Sequence, residues 1–272
     1  MRYLRLCTIL LFAVACILTG WTAYKDFTTD RTSPEFIDNL GPISVSVADP
    51  EDALLQGLTA TDNRDGDLTD KIIVEHISSF LEYGVVSVDY VVFDQACNLA
   101  RYTRTVTYED YASPRLHLES PLIYRVGEDI TIMDKLKLVD CLGGDITYKL
   151  KIQTSNVNES QAGQYEFTAS AVTDMGDEVF VRLPVNILSY DADAPIIELS
   201  ECLVYVKAGE PFSPAEYITS VKDRNGFLID ISEVFIFSQV NLQQPGSGQY
   251  RMEVIDGNGR KGYAFLSVIV TE

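Results

Sequence analysis

Three landmarks recur in the same order along this chain, about eighty residues apart, and that periodicity limits the fold more than any other feature. Pro114 opens PRLHLES and, 81 positions later, Pro195 opens PIIELSE. Gly163-Gln164-Tyr165 returns 85 positions later as Gly248-Gln249-Tyr250, and each opens an alternating run, YEFTASAVTD and YRMEVIDGNG. Upstream, Gly84 opens VVSVDYVVFD in the same role. The runs reach aspartate at Asp94, Asp174 and Asp256, and an acidic turn precedes each, around Asp62, Asp140 and Asp223. A chain of 272 residues built at this period divides into small tandem domains.

The expected boundaries are an apolar segment over 1–25, then domains over 26–111, 112–191 and 192–272. The joins, Tyr111-Ala112-Ser113-Pro114 and Tyr190-Asp191-Ala192-Asp193-Ala194-Pro195, are short and polar and end in proline, as semi-rigid linkers do. Within each domain the hydrophobic period is two. In VFVRLPVNIL, Val179, Val181, Leu183, Val185 and Ile187 share one face, and in KLKIQTS, Leu150 and Ile152 alternate with lysines and Gln153. Pro184 inside that pattern predicts an edge strand, where a missing N–H costs little. Short alternating strands separated by turn signals predict an all-β chain of antiparallel sandwiches. A short helical turn is expected near Ser213-Pro214-Ala215-Glu216-Tyr217.

The order of motifs carries a resemblance. An acidic TDNRDGDLT turn, then Gly-x-Tyr opening a strand, then D-x-x-x-N in a hairpin resembles the immunoglobulin-like repeats of bacterial surface proteins, of the type found in an insecticidal crystal protein, and is similar to hyalin-type repeats. It covers roughly residues 40 to 272 in three copies. Copy one carries Asp62, Asn63, Asp65, Gly66, Asp67 and Thr69; copy two keeps Asp140, Gly144, Asp145 and Thr147; copy three keeps Asp223, Asn225 and Gly226. Copy one has Val86 in place of the strand-opening tyrosine. The resemblance implies three tandem immunoglobulin-like sandwiches with a role as stalk, spacer or adhesive module, and names no ligand.

The N-terminal segment sets the topology. Leu6 to Tyr24 is an uncharged run of nineteen residues, nearly enough to span a hydrocarbon core as a helix. Arg2 and Arg5 precede it, which keeps the N-terminus cytoplasmic, and Tyr3, Trp21 and Tyr24 flank it at interfacial depth. Two processing routes compete with an uncleaved anchor: signal cleavage after Ala13-Val14-Ala15 and lipidation at Cys16. Ile17 and Leu18 continue the apolar run past both, which favours the anchor. The expectation is a single-pass protein of the cell membrane with its C-terminal domains outside.

Charge and cysteine usage exclude several functions. The net charge is −19, so phosphate backbones are repelled and nucleic-acid binding is disfavoured. Of five cysteines, Cys7 and Cys16 lie in the apolar run, and Cys97, Cys141 and Cys202 are far apart; this is no disulfide scaffold. Zinc-ligand spacing and a phosphate loop are both missing from the sequence. Read as an EF-hand with Gly66 at position six, TDNRDGDLTD would have Thr61 first and Ile72 last, and neither can serve. As a turn it works: aspartate side chains bond nearby backbone, and Gly66 supplies positive φ. Forty acids make chance carboxylate pairs inevitable, and turn carboxylates stay ionised rather than forming a glycosidase pair. Cys97 with His76 or His117 lacks an orienting third group. Tyr165 and Tyr250 sit where a sandwich places its tyrosine corner, with Phe167 and Met252 replacing the core cysteine two residues on. Tyr108, Tyr111 and Tyr190 are expected as exposed aromatics that crowd the joins.

No catalytic or cofactor-binding residue is therefore expected. The metal candidates are Asp174, Asp191 and Asp193, for a calcium ion shared across the second join. The expected function is non-catalytic: presenting or binding a protein or glycan partner at the cell surface. The alternatives are a scaffold or regulatory subunit of a surface enzyme complex and a plain structural spacer. An exposed apolar patch on one domain separates binder from spacer, and a concave pocket with titrating groups would mark an enzyme. An uncleaved anchor predicts that the membrane-extracted chain retains residues 1–25 in intact-mass spectrometry; a lipidated terminus at Cys16, or a terminus near Lys25, would contradict it.

Overall fold

The computed structural model describes residues 2–189 and 191–272. The chain divides into two units, Met1–Asp110 and Tyr111–Glu272. The first opens with helix α1 (Arg2–Thr28), whose span Cys7–Lys25 has a mean hydropathy of 1.8, long and apolar enough to cross a membrane. None of that span is buried, whereas the helix of a soluble core would hide one face.

Seven strands follow in the first unit: β1 (Glu35–Asp38), β2 (Ile43–Val45), β3 (Leu58–Asp62), β4 (Gly66–Asp67), β5 (Ile73–Ile77), β6 (Val85–Phe93) and β7 (Leu99–Tyr108). They form two sheets, ordered β1-β3-β4 and β2-β7-β6-β5. The second unit carries the same plan twice. Strands β8 (Arg115–Leu118), β9 (Ile123–Arg125), β10 (Leu136–Val139), β11 (Lys151–Ser155), β12 (Gly163–Val172) and β13 (Glu178–Leu188) form sheets β10-β8 and β11-β12-β13-β9. Strands β14 (Ile196–Leu199), β15 (Leu203–Lys207), β16 (Ile218–Lys222), β17 (Phe235–Ser238), β18 (Gly246–Ile255) and β19 (Lys261–Thr271) form sheets β14-β16 and β15-β19-β18-β17.

In each stretch the first strand pairs antiparallel in one sheet, and the second crosses over to lie parallel to the last strand of the other. At the first crossing the Asp38 carboxylate accepts hydrogen bonds from the amides of Leu40 and Gly41, both at 3.0 Å, and Gly41 takes φ +69°. The longest ladders join the last two strands, β6 to β7, β12 to β13 and β18 to β19. Their inward residues make the cores. Val181, Leu183, Val185 and Ile187 are buried, as the two-residue period requires. Phe167 and Met252 are fully buried at their expected core positions, and the Tyr165 hydroxyl donates to the Gln161 carbonyl at 3.0 Å, a tyrosine corner. The helical turn near Tyr217 is present as a 3₁₀ turn over Pro214–Tyr217, with counterparts at Glu51–Leu55 and Met133–Lys135.

Three expectations are revised. Pro184 is not on an edge strand, because β13 lies between β12 and β9. Pairing with β9 begins only at Asn186, so the missing N–H of Pro184 falls beyond that partner's reach. Tyr108 and Tyr111 are half-buried rather than exposed, and the Tyr111 hydroxyl donates to Asp177 at 2.8 Å; Tyr190 lies outside the described residues. The second and third stretches also share a core: Leu203 belongs to the cluster around Phe167, with Cys202, Tyr205 and Ile269 packed against it. Asn186 and Gln249, both buried, exchange amide hydrogen bonds at 2.9 and 3.2 Å across the same contact.

The first unit differs at the centre of its core. By strand register Arg104 stands where the later stretches bury Leu183 and Leu266, and Asp38 stands where they place Leu118 and Leu199. The two side chains are 1% and 6% exposed and lie 3.5 Å apart. Arg104 also donates to the carbonyls of Gln56 and Leu54, and the hydroxyl of Tyr102 donates to Asp38 at 2.9 Å. Burial pushes the Asp38 carboxyl up, but the amides of Leu40 and Gly41, Tyr102 and Arg104 outweigh it and hold the pKa below its ordinary value. Replacing Arg104 alone with leucine should cost about 3–5 kcal/mol by stranding a buried carboxylate, while Asp38→Leu with Arg104→Leu recovers most of that loss. Hydrogen exchange of the β6 and β7 amides measures both. A lowered pKa means the native stabilisation is complete above about pH 4 and fades as pH falls through the folded value.

Candidate functional site

Loops from three parts of each stretch meet at one end: the segment before the first strand, the acidic turn, and the hairpin between the last two strands. The acidic turn is built the same way each time. One carboxylate oxygen accepts two backbone amides: Asp62 from Arg64 and Asp65 at 2.8 and 2.9 Å, Asp140 from Leu142 and Gly144 at 2.9 and 2.7 Å, Asp223 from Asn225 and Phe227 at 2.8 and 2.9 Å. A second acid starts the following 3₁₀ turn: Asp67 and Asp145 accept from the amides of Thr69 and Thr147, and Asp230 from that of Ser232. The acidic stretch thus acts as a turn, as its composition requires.

The hairpins correct one landmark. The residue after the penultimate strand donates its amide to the carbonyl four residues on: Asp94 to Asn98, Thr173 to Asp177, Asp256 to Arg260. The counterpart of Asp94 and Asp256 is therefore Thr173, not Asp174. Asp174 points outward, 92% exposed, with Lys149 Nζ at 2.5 Å.

The three stretches then balance this loop end differently. In the third, Asp193 lies 2.8 Å from Arg224 and 3.0 Å from Arg260, whose Nε is 3.1 Å from Asp256. In the second, Tyr111, Thr173 and Asp177 link through neutral donors, the Asp177 amide bonding the Thr173 hydroxyl at 3.0 Å. In the first, Asp30, Asp62 and Asp94 each bring a carboxylate oxygen within 4.8 Å of the others. Asp94 accepts from the backbone and side-chain amides of Asn98 at 2.7 and 2.6 Å. Arg64 Nε stands 3.5 Å from Asp30 with half its side chain in solvent. Asp62 is 7% exposed, and its Oδ2 has no hydrogen-bond partner. The amides of Asp65 and Arg64 hold its pKa below the ordinary carboxylate range, so it stays ionised.

Of the residues expected to share calcium, Asp174 and Asp193 are already matched by protein cations, and Asp191 accepts the Asp193 amide at 2.9 Å. Among the described residues the converging acids are instead those of the first unit. Asp30 carries no motif, and its meeting with Asp62 and Asp94 depends on tertiary structure. Cys97, His76 and His117 are all exposed, on a hairpin turn, on β5 and on β8.

A second feature is the outer edge of the third stretch. Phe227, Leu228, Ile231, Phe235 and Phe237 are exposed on the acidic turn, the 3₁₀ turn and β17, the outermost strand of its sheet. Phe235 and Phe237 are separated by one residue and so share a face. Edge strands are ordinarily blunted by charge or proline. The equivalent edges obey this, with Glu75 and His76 on β5 and Lys151 on β11; β17, Phe-Ile-Phe-Ser, has neither.

No protein-family model matches the chain. It is 28% identical over 221 residues to the pesticidal crystal protein Cry22Aa of Bacillus thuringiensis, a match covering 78% of this chain and 29% of that protein; the chain thus spans under a third of that relative's length. Among solved structures it is similar to the M60 catalytic domain with CBM51-1 and CBM51-2 domains of Clostridium perfringens ZmpB (12% identity, 88% of this chain and 31% of that one, TM-score 0.24). It is also similar to the protocadherin GammaB4 extracellular domain (13%, 87% and 49%, TM-score 0.21) and to the lipoprotein BT2262 of Bacteroides thetaiotaomicron (14%, 58% and 80%, TM-score 0.25). At these TM-scores none of them fixes a ligand for this chain.

The Asp256 pKa lies below its ordinary value, chiefly through the Arg260 amide, so its stabilising effect is present above the unfolded pKa and lost as pH falls through the folded one. Asp256→Ala should therefore lower Tm at pH 7, with the deficit closing as pH falls through the folded pKa. Asp174→Ala should leave Tm near native, since its side chain is solvated. Differential scanning calorimetry across pH compares them.

Proposed function

We propose that this chain is a membrane-anchored, non-catalytic protein of the bacterial cell surface, in which three tandem immunoglobulin-like sandwiches bind a protein partner. The unburied apolar helix supports the anchor, and the thrice-repeated pairing of sheets supports the tandem reading. The observation that favours a binder over a spacer is the unguarded β17 edge with its exposed Phe235 and Phe237. A strand from a partner can add to β17 through backbone hydrogen bonds, while the phenylalanines contribute apolar contact on alternate positions. The acidic surface disfavours anionic polymers as partners, which leaves apolar and backbone contact as the attractive terms.

The test is crosslinking in cells, detergent extraction of the full chain and identification of what co-purifies. Phe235→Lys with Phe237→Lys should cut recovery of the partner at least about tenfold, the effect of losing some 1.4 kcal/mol. Phe180→Lys, at an equally exposed phenylalanine on β13, should not. Unchanged recovery in the double variant, or a glycan in place of a protein, would overturn the edge-strand mechanism. Recovery of nothing with the native chain would favour the spacer.

A further inference from the structure

We infer that the first unit binds one calcium ion between Asp30, Asp62 and Asp94. One oxygen from each lies within 4.8 Å of the others. Oxygens on opposite sides of a calcium ion stand about 4.6–5.2 Å apart, against about 4.2 Å for magnesium, which also demands near-octahedral order. The trio is thus close enough to share one cation, and calcium's loose geometry accepts carboxylates brought in by different loops.

Two further observations point to a cation. The first is Asp62 Oδ2, buried without a hydrogen-bond donor. A buried acceptor left unmatched is costly, and this one belongs to a carboxylate whose other oxygen already holds two amides. The second is the chain's own internal comparison. The third stretch places Arg260 between Asp193 and Asp256. The position of Arg260 is Asn98 in the first stretch, which donates its side-chain amide to Asp94 and to the Asp30 carbonyl but brings no charge. The second stretch removes the need, with Thr173 and Tyr111 in place of two acids. The first stretch keeps three acids with asparagine, not arginine, at the hairpin position. Arg64 approaches Asp30 from the solvent side and competes for the same charge. Water completes the six to eight oxygens that calcium takes.

The experiment is isothermal titration of calcium chloride into the full chain in detergent, with 150 mM potassium chloride and magnesium chloride in parallel. Expected is one calcium per chain, with Kd about 0.1–1 mM as in extracellular modules, and at least tenfold weaker magnesium binding. Asp62→Asn and Asp94→Asn should each weaken calcium at least tenfold, Asp223→Asn should not, and Arg64→Gln should tighten it severalfold. Hydrogen exchange of the native chain gives a reading that needs no variant: calcium should slow exchange at residues 30–33, 62–66 and 94–98. No binding at 5 mM calcium would overturn the site. So would affinity unchanged in both asparagine variants, calcium bound only by Arg64→Gln, or protection confined to other residues.

Discussion

A carboxylate oxygen that accepts two backbone amides is the interaction on which the loop end of every stretch depends. At Asp62, Asp140 and Asp223 it closes the acidic turn, and at Asp256 it helps close the last hairpin, where Asp94 accepts the backbone amide of Asn98 on one oxygen and its side-chain amide on the other. Each such bond uses up an orphan amide that a tight turn would otherwise leave to solvent. The same bonds fix where strands end, and so fix the register of the long ladders between them. They also collect negative charge at one end of the fold. The turn chemistry that makes the sandwich buildable thereby creates an electrostatic problem that each stretch must answer separately.

The core shows the same divergence on a common backbone. Arg104 and Asp38 occupy positions that the later stretches fill with leucine, so one β framework accepts either an apolar centre or a buried ion pair. The ion pair is tolerable because the desolvated charges are matched by Tyr102, by the carbonyls of Leu54 and Gln56, and by two amides at the sheet crossing. That crossing, from β1 in one sheet to β2 in the other, carries the apparatus. The pair therefore ties the interior to the point where the chain changes sheet, as a leucine pair could not.

What the sequence reveals follows from what is local. Alternation exposed the inward faces of β12 and β13, and Gly-x-Tyr marked the tyrosine corner at Tyr165, because both depend on neighbours a few residues away. Pro184 misled because edge character is decided by where β9 stops, a contact set some sixty residues earlier. Asp174 misled because the landmark was read by letter; the backbone bond from Thr173 to Asp177 shows a one-residue offset. Arg104 was invisible as core because arginine at an inward position reads as a break in the pattern. Asp30 carried no signal, since only the folded chain brings it to Asp62. The unguarded β17 edge was readable in principle, from a strand lacking both charge and proline, once the strand order was known.

The first loop end has one further structural consequence. The segment between α1 and β1 is not a loose tether. Asn98 holds the Asp30 carbonyl at 3.2 Å, Asn63 donates to the Thr32 hydroxyl at 3.2 Å, and Arg64 meets the Asp30 carboxylate. Two loops of the sandwich, the acidic turn and the last hairpin, thus grip the residues that follow the apolar helix directly. Among those contacts the carboxylates repel one another, so the grip is weakest where its charge is least matched. A divalent cation there converts repulsion into coordination and binds the exit of the helix to the acidic turn and the hairpin together. In the third stretch Arg260 does the equivalent for the residues before β14, permanently and without a metal. With Tyr111 held by Asp177 in the second stretch, one framework fastens its entering chain in three ways, and among the described residues the one nearest the helix is left open to a solution ion.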